Sequence, residues 1–163
     1  MEKPKIITIK SKYFVGKKIR THVNFEATQN LWKSFMPRRK EINEHLNDFL
    51  YSIEIYDSPS AYLNFTPNTT FDKWAAIEVR EELDPPVDMN FMCMPGGLYA
   101  VFTHIGIAAE FHKTIHFILN DWLPNANYTL DDRPHFEIMG EKYLGPTDPN
   151  SVEEVWIPIK KEF

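Results

Sequence analysis

The stretch Ser151–Lys160, which reads S-V-E-E-V-W-I-P-I-K, constrains the fold of this chain more than any other. Successive side chains of a β-strand point to opposite faces of the sheet. One face of this strand would therefore carry three branched apolar residues, Val155, Ile157 and Ile159. Glu154 and Trp156 share the other face with Pro158. The pattern predicts a strand that buries one face in a core and presents a carboxylate beside an indole on the other.

A second stretch, Phe71–Val79, repeats this arrangement. It reads F-D-K-W-A-A-I-E-V, and alternation puts Trp74 and Glu78 on one face. Two strands that each present a Trp and a Glu predict a duplicated fold whose halves share an aromatic and acidic cavity. The alternative is that both glutamates lie on a solvated sheet face with Trp as partial cover, because charged residues are mostly exposed.

The first half of the chain reads as two strands, a helix and two strands. Residues 5–24 contain the first two strands, with Gly16 indicating a bulge or bend. Apolar residues at helical spacing predict a helix over Ala27–Phe49, kinked or split at Pro37. Tyr51–Tyr56 alternates as a strand, and a turn-rich loop follows it.

The second half repeats this order after a linker at Glu81–Asp88. Strands are predicted at Met89–Met94, Leu98–His104 and His135–Met139, with a helix between Gly106 and Pro124. We therefore expect one domain over residues 1–163, with pseudo-repeats at about 5–83 and 88–161. The fold class is α+β, with helices on one face of an antiparallel sheet. The other face is left for a ligand, a partner or water.

Composition narrows the function. The formal net charge of -5 argues against nucleic-acid binding, which needs a positive surface. No signal peptide and no membrane-spanning run are evident, so we expect a cytoplasmic protein without membrane contact. Aromatic residues make up 14% of the chain and are suited to flat or cationic ligands. The lone Cys93 lies in an apolar run and is expected to be buried.

No metal and no cofactor are predicted. His112 and His116 have the spacing of metal ligands on a helix, but the H-E-x-x-H order is absent. Gly96-Gly97 lies in an expected hairpin turn, so a phosphate-binding loop is not indicated either.

Several motifs resemble the GyrI-like small-molecule-binding family, the effector-binding domain of AraC- and MerR-type regulators. They are G-G-L-Y-A-V-F-T-H-I-G (96–106), D-W-L-P (121–124), P-H-F-E-I (134–138) and E-V-W-I-P-I-K (154–160). L-W-K-S-F-M-P-R (31–38) and A-A-I-E-V (75–79) extend the resemblance over nearly the whole chain. It implies strand–helix–strand–strand modules related by a pseudo-two-fold axis, with a ligand groove between them. It also implies a member that stands alone, because no helix-turn-helix segment is found.

The resemblance places Glu154 where members that bind lipophilic cations have their pocket glutamate, four residues before Pro158. Trp156 stands where the family commonly has Tyr, which keeps an aromatic face and removes a hydroxyl. The implied function is binding of a hydrophobic or cationic aromatic drug or toxin, with an unknown protein partner left open. The candidate ligand-binding residues are Glu78, Trp74, Trp156, Tyr143 and Trp122.

The same resemblance leaves two alternatives open. Some standalone relatives hydrolyse cyclopropanoid genotoxins, and here Glu154 would be the general base. Tyr99 would stabilise the charge that develops on the ligand oxygen, with Tyr143 as a rival for that role. The other alternative is inhibition of an enzyme such as DNA gyrase by direct contact.

Overall fold

The computed structural model describes residues 1–162, which contain nine β-strands and three α-helices. The strands are β1 (Lys5–Ile9), β2 (Lys12–Thr21), β3 (Leu50–Ile55), β4 (Phe71–Val79), β5 (Asn90–Met94), β6 (Gly97–Ile105), β7 (Tyr128–Leu130), β8 (His135–Met139) and β9 (Val152–Lys161). The helices are α1 (Phe25–Phe35), α2 (Pro59–Leu63) and α3 (Phe111–His116), and α3 continues as a π-helical segment over Phe117–Trp122.

The strands form an antiparallel sheet in the order β1-β6-β9-β8-β3-β4-β2-β5, with β7 paired to the end of β9. The pair β3–β8 joins the two halves at the centre of the sheet. Each half gives its first strand to the other half: β1 pairs with β6, and β5 pairs with β2. The halves are therefore interlocked at both edges of the sheet.

This exchange curls the sheet. β1 lies at one edge and β2 beside the other, yet only Lys10 and Ser11 connect them, a reach of roughly 11 Å when extended. The link between β5 and β6, residues 95–96, runs beside the link between β1 and β2. A Cβ added to Gly96 would lie 2.7 Å from the Lys10 carbonyl carbon. The two edges of the sheet therefore meet where these links lie against each other.

The helices cover one face of the sheet, hereafter the helix face. Leu31 and Phe35 of α1 pack on the β2 and β4 side chains Val15, Ala75, Ile77 and Val79. In the second half, Ile118 and its neighbours pack on Ala100, Phe102, Val155, Ile157 and Ile159. Ala75, Ser52, Glu137 and Val155 follow one another in register across the sheet, so both helical layers lie on the same face. The predicted α+β fold class and the apolar face of the last strand are confirmed.

The first helix is shorter than predicted. α1 begins after Asn24, whose side chain accepts a hydrogen bond from the Ala27 N–H at 3.0 Å, and it ends at Phe35. Pro37 lies in the first turn of a 3-10 segment, Met36–Glu41, because proline has no N–H to continue the α-helix. The stretch up to Phe49 is not helical, and His45 pairs with Val79 instead.

Other sequence-based assignments were also wrong. Ser58 caps the short helix α2 within the predicted loop, and β7 had not been predicted. Gly16 lies in regular pairing with Ala76 on one side and Asn90 on the other, without a bulge. Cys93 is exposed, because alternation on the edge strand β5 turns it away from the buried Met94.

Candidate functional site

The sheet face opposite the helices, hereafter the aromatic face, is lined by six packed rings. They are Phe14, Tyr51, Trp74, Tyr99, Phe136 and Trp156, each 8% exposed or less. Phe136 and Trp156 stack with ring centroids 5.1 Å apart, and Tyr99 meets Phe136 edge-on at 5.2 Å. Lys18 Nζ lies 5.6 Å from the centre of the Trp74 ring. Such a face offers apolar surface and cation–π partners to a ligand that can insert between the rings.

Strand register places Tyr51 between the two predicted carboxylates. One cross-strand row carries Trp156, Phe136, Ile53 and Trp74. The next row runs from Glu154 through Ile138 to Tyr51 and Ala76. Glu78 follows Ala76 by two positions and therefore projects from the same face.

Glu78 is buried, and both of its carboxylate oxygens have polar partners. It is 5% exposed, and the Tyr51 hydroxyl donates to its Oε1 at 2.9 Å. Lys12 Nζ lies 3.3 Å from Oε2 and 3.5 Å from Oε1. Asn47 Nδ2 donates to the Tyr51 hydroxyl oxygen at 3.4 Å. A buried carboxylate needs such partners, because leaving water without compensation costs it several kcal/mol.

Glu154 differs from Glu78. Its side chain is exposed, and its carboxylate accepts a hydrogen bond from Trp156 Nε1 at 3.4 Å. Within residues 1–162, no lysine or arginine forms an ion pair with Glu154. Burial raises the pKa of Tyr51, and the negative charges of Glu78 and, more weakly, Glu154 raise it further. Both carboxylates therefore act electrostatically on the same phenol.

The ring of Tyr99 lies on the aromatic face, but its hydroxyl is hydrogen-bonded to a backbone carbonyl. The side chain is 0% exposed, and the hydroxyl donates to the Pro134 carbonyl at 2.9 Å. The Arg133 guanidinium lies 4.6 Å from the centre of the ring. Burial raises the pKa of Tyr99 to about 12. Trp74 also lies on this face, and its indole N–H is buried without a protein partner within the described chain.

The structure places Trp122 and Tyr143 away from the aromatic face. Trp122 packs on the helix side against Phe102, with ring centroids 5.1 Å apart. Tyr143 is half-buried, and its pKa is raised by burial and by the charge of Glu153, which also faces the helix side. The aromatic face therefore brings together Glu78, Glu154, Trp74, Trp156 and Tyr99 and leaves these two residues outside.

Sequence reasoning missed two features. The sequence predicted Tyr51 as part of a strand but not as part of the site. Tyr51 and Ile53 are two residues apart and therefore share a face of β3, which is the aromatic face. The second feature is an acidic strip on the helix face, made by the buried Glu54 and Glu137 and the half-buried Glu153. Burial, with Glu54 next to it, raises the pKa of Glu137 well above the ordinary range. The available signal was a single glutamate between two apolar residues in each of two strands. These are Glu54 in S-I-E-I and Glu137 in H-F-E-I.

His135 lies beside this strip, paired with Glu54 in the β3–β8 register, and is buried. Its ring contacts Tyr62 at 4.2 Å between centroids, and burial lowers its pKa to about 3.

Across residues 1–162, no group of three or more His, Cys, Asp and Glu side chains has the arrangement of a metal site. None of the helices in that part of the chain is long and apolar enough to cross a membrane.

Comparison with known proteins gives the family and the fold. The model of the GyrI-like small molecule binding domain matches residues 2–160. The transcriptional regulator BrlR of Pseudomonas aeruginosa is 32% identical over 130 residues, which cover 79% of this chain and 45% of BrlR. The chain thus spans about half the length of that regulator.

Two solved structures share the fold. SAV2435 bound to tetraphenylphosphonium has a TM-score of 0.65 and 15% identity, covering 98% of this chain and 94% of that one. A hydrolase encoded by lin2189 from Listeria innocua has a TM-score of 0.59 and 13% identity, covering 97% and 92% of the two chains.

Proposed function

Because the chain belongs to the GyrI-like small-molecule-binding domain family, we propose that it binds lipophilic aromatic cations on its aromatic face in the cytoplasm. Glu154 is the anionic contact in this proposal, and Trp156 is the aromatic one. The observation that carries the proposal is the exposed Glu154 carboxylate, which has no cationic partner within residues 1–162 and lies beside an indole. Sequestering a toxic compound is one use of such a site.

The chemistry of the face favours this class of ligand. A positive charge about 4 Å from a carboxylate near a protein surface gains about 4 kcal/mol before desolvation is subtracted. An adjacent aromatic ring adds roughly 0.5–2 kcal/mol through cation–π attraction. Tetraphenylphosphonium, the ligand named for SAV2435, combines one positive charge with an apolar aromatic surface. Since Trp156 is only 8% exposed, a ligand of that size must displace rings as it enters.

The test is a calorimetric titration with tetraphenylphosphonium. We expect Glu154→Gln to weaken binding about tenfold or more, because a tenfold change corresponds to only about 1.4 kcal/mol of lost attraction. Glu153→Gln is the matched control, since it replaces the neighbouring glutamate of the same strand, whose side chain projects from the helix face instead of the aromatic face. Equal affinities of the wild type and Glu154→Gln would refute the assignment of Glu154.

Hydrolysis of a cyclopropanoid compound is the second candidate, with Glu154 as general base. Water can reach the exposed Glu154 carboxylate, and the fold is shared with the Listeria hydrolase. The Tyr99 hydroxyl donates to the Pro134 carbonyl and the Tyr51 hydroxyl donates to Glu78, so either phenol must leave its present acceptor before it can stabilise developing charge. Incubation with a duocarmycin-type cyclopropane, followed by mass spectrometry, separates the two functions. Turnover that disappears in Glu154→Gln would indicate a hydrolase, whereas a bound, unchanged compound would indicate a binding protein.

A further inference from the structure

The two carboxylates of the aromatic face differ in their partners. Glu78 is buried and contacts both the Lys12 ammonium and the Tyr51 hydroxyl. Glu154 is exposed and contacts an indole N–H. The ammonium of Lys12 offsets the charge of Glu78, so within residues 1–162 Glu154 is the carboxylate of the two that has no ion-pair partner.

We propose that Lys12 is a resident counter-ion that closes Glu78 to cationic ligands and restricts the aromatic face to ligands with one positive charge. This inference rests on the proposed cation-binding function and names the charge class of its ligand. The distances of 3.3 and 3.5 Å from Lys12 Nζ to the two Glu78 oxygens put the ammonium where a ligand cation would otherwise lie.

The positions of the two residues make this pairing a fixed part of the sheet. Phe14 lies opposite Glu78 in the β2–β4 register, and Lys12 lies two residues before Phe14 on the same face of β2. The Glu78 side chain is 7% exposed and that of Lys12 is 25% exposed. The Glu78 carboxylate therefore has little contact with solvent, whereas the Lys12 side chain reaches it from a more exposed position. A second positive charge on a ligand would be repelled by Lys12 or would have to displace it from a buried partner.

Tyr51 couples the two carboxylates. Its hydroxyl donates to Glu78, and its row of the sheet leads across Ile138 to Glu154. The charges of Glu78 and Glu154 both act on the Tyr51 phenol, so the second charge of a dication that extends from Glu154 toward Tyr51 approaches Glu78 and is attracted to it once Lys12 is removed.

The experiment compares two flat aromatic cations of the same shape. Methyl viologen carries two positive charges, and its analogue methylated on one nitrogen carries one. Affinities are measured by calorimetry for the wild type, Lys12→Met, Lys12→Arg, Glu154→Gln and the double variant Lys12→Met/Glu78→Gln. Circular dichroism checks that each variant is folded.

We expect Lys12→Met to raise the affinity for the dication, relative to the monocation, by about tenfold or more, because Glu78 loses its resident positive charge. Lys12→Arg should keep the wild-type ratio. The double variant should also return to that ratio, since it keeps the methionine but lacks the unmasked carboxylate.

An unchanged ratio in Lys12→Met would overturn the inference, and so would a raised ratio that persists in the double variant. Failure of the proposed function looks different: the monocation would then bind equally well to the wild type and Glu154→Gln. Absence of binding of both cations to the wild type and to Lys12→Met would overturn both ideas.

Discussion

Adjacent glutamates of β9 have opposite environments. Glu154 is exposed on the aromatic face, whereas Glu153 lies on the helix face near Glu54 and Lys73. Burial and then the negative charge of Glu54 raise the pKa of Glu153 to about 7, against the opposing effect of Lys73. A proton therefore leaves this half-buried carboxyl near neutral pH, although the following residues of the strand are part of the core.

This shift predicts a pH-dependent stability. The folded-state pKa of Glu153 lies above the ordinary 4.5, so its stabilising contribution is complete below that value and is lost as the pH rises through about 7. Relative to the wild type, Glu153→Gln should gain about 1–3 kcal/mol of unfolding free energy between pH 5 and pH 8.5. Urea titrations across this range measure the difference.

The comparison between wild type and variant is needed because His135 acts in the opposite direction. Its pKa is lowered to about 3 by burial, so its contribution is present above the unfolded-state pKa and is lost as the pH falls below it. Glu154→Gln, on the opposite face, controls for the removal of one negative charge. A difference between the wild type and Glu153→Gln that does not change with pH would contradict the prediction.

At the scale of elements, β2 depends on a glycine for close approach to β4. A Cβ added to Gly16 would lie 2.7 Å from the Ala76 Cα, closer than real side chains allow. Gly16 is paired on both sides, so neither neighbouring strand can yield without disturbing its own ladder.

Gly16→Ala should therefore lower the free energy of unfolding by about 2 kcal/mol or more. Gly140→Ala is the matched control, because its Cβ would meet the Phe49 ring at 3.5 Å, an ordinary contact. We expect that control to change stability by less than about 1 kcal/mol. Urea unfolding measures both variants, and equal losses would show that close approach at Gly16 is not the cause.

The elements also show what sequence can predict here. Period-two alternation was enough to assign faces to β4 and β9, because strands alternate whatever their neighbours are. It could not predict that Lys12 pairs with Glu78, 66 residues away, since register between distant strands depends on the whole sheet. For the same reason, the central position of Tyr51 emerged only from its partners on β4 and β8. The end of α1 was missed because the apolar spacing continues beyond Pro37, where the backbone cannot remain α-helical.

For the molecule as a whole, the exchanged first strands tie the stability of each half to the other. β1 completes the edge of the second half, and β5 completes the edge of the first. The shared pair β3–β8 and the aromatic face span both halves. Opening one half would expose the paired edge and part of the core of the other.

We therefore expect the two halves to unfold in one transition. Native-state amide hydrogen exchange should give central amides of β4 and β9 the same opening free energy to within about 1 kcal/mol. The two strands belong to different halves, so each reports on its own half. Clearly lower protection of β9 than of β4 would mean that the halves open independently.

The exchange of first strands also gives the linker at 81–88 a role in the stability of the fold. With β1 seated in the second half and β5 in the first, the halves are arranged like two subunits of a dimer that have traded their N-terminal arms. The linker acts as a tether that keeps the effective concentration of the halves high. Cutting it would turn folding into a second-order association, and the stability of the nicked protein would then depend on its dilution.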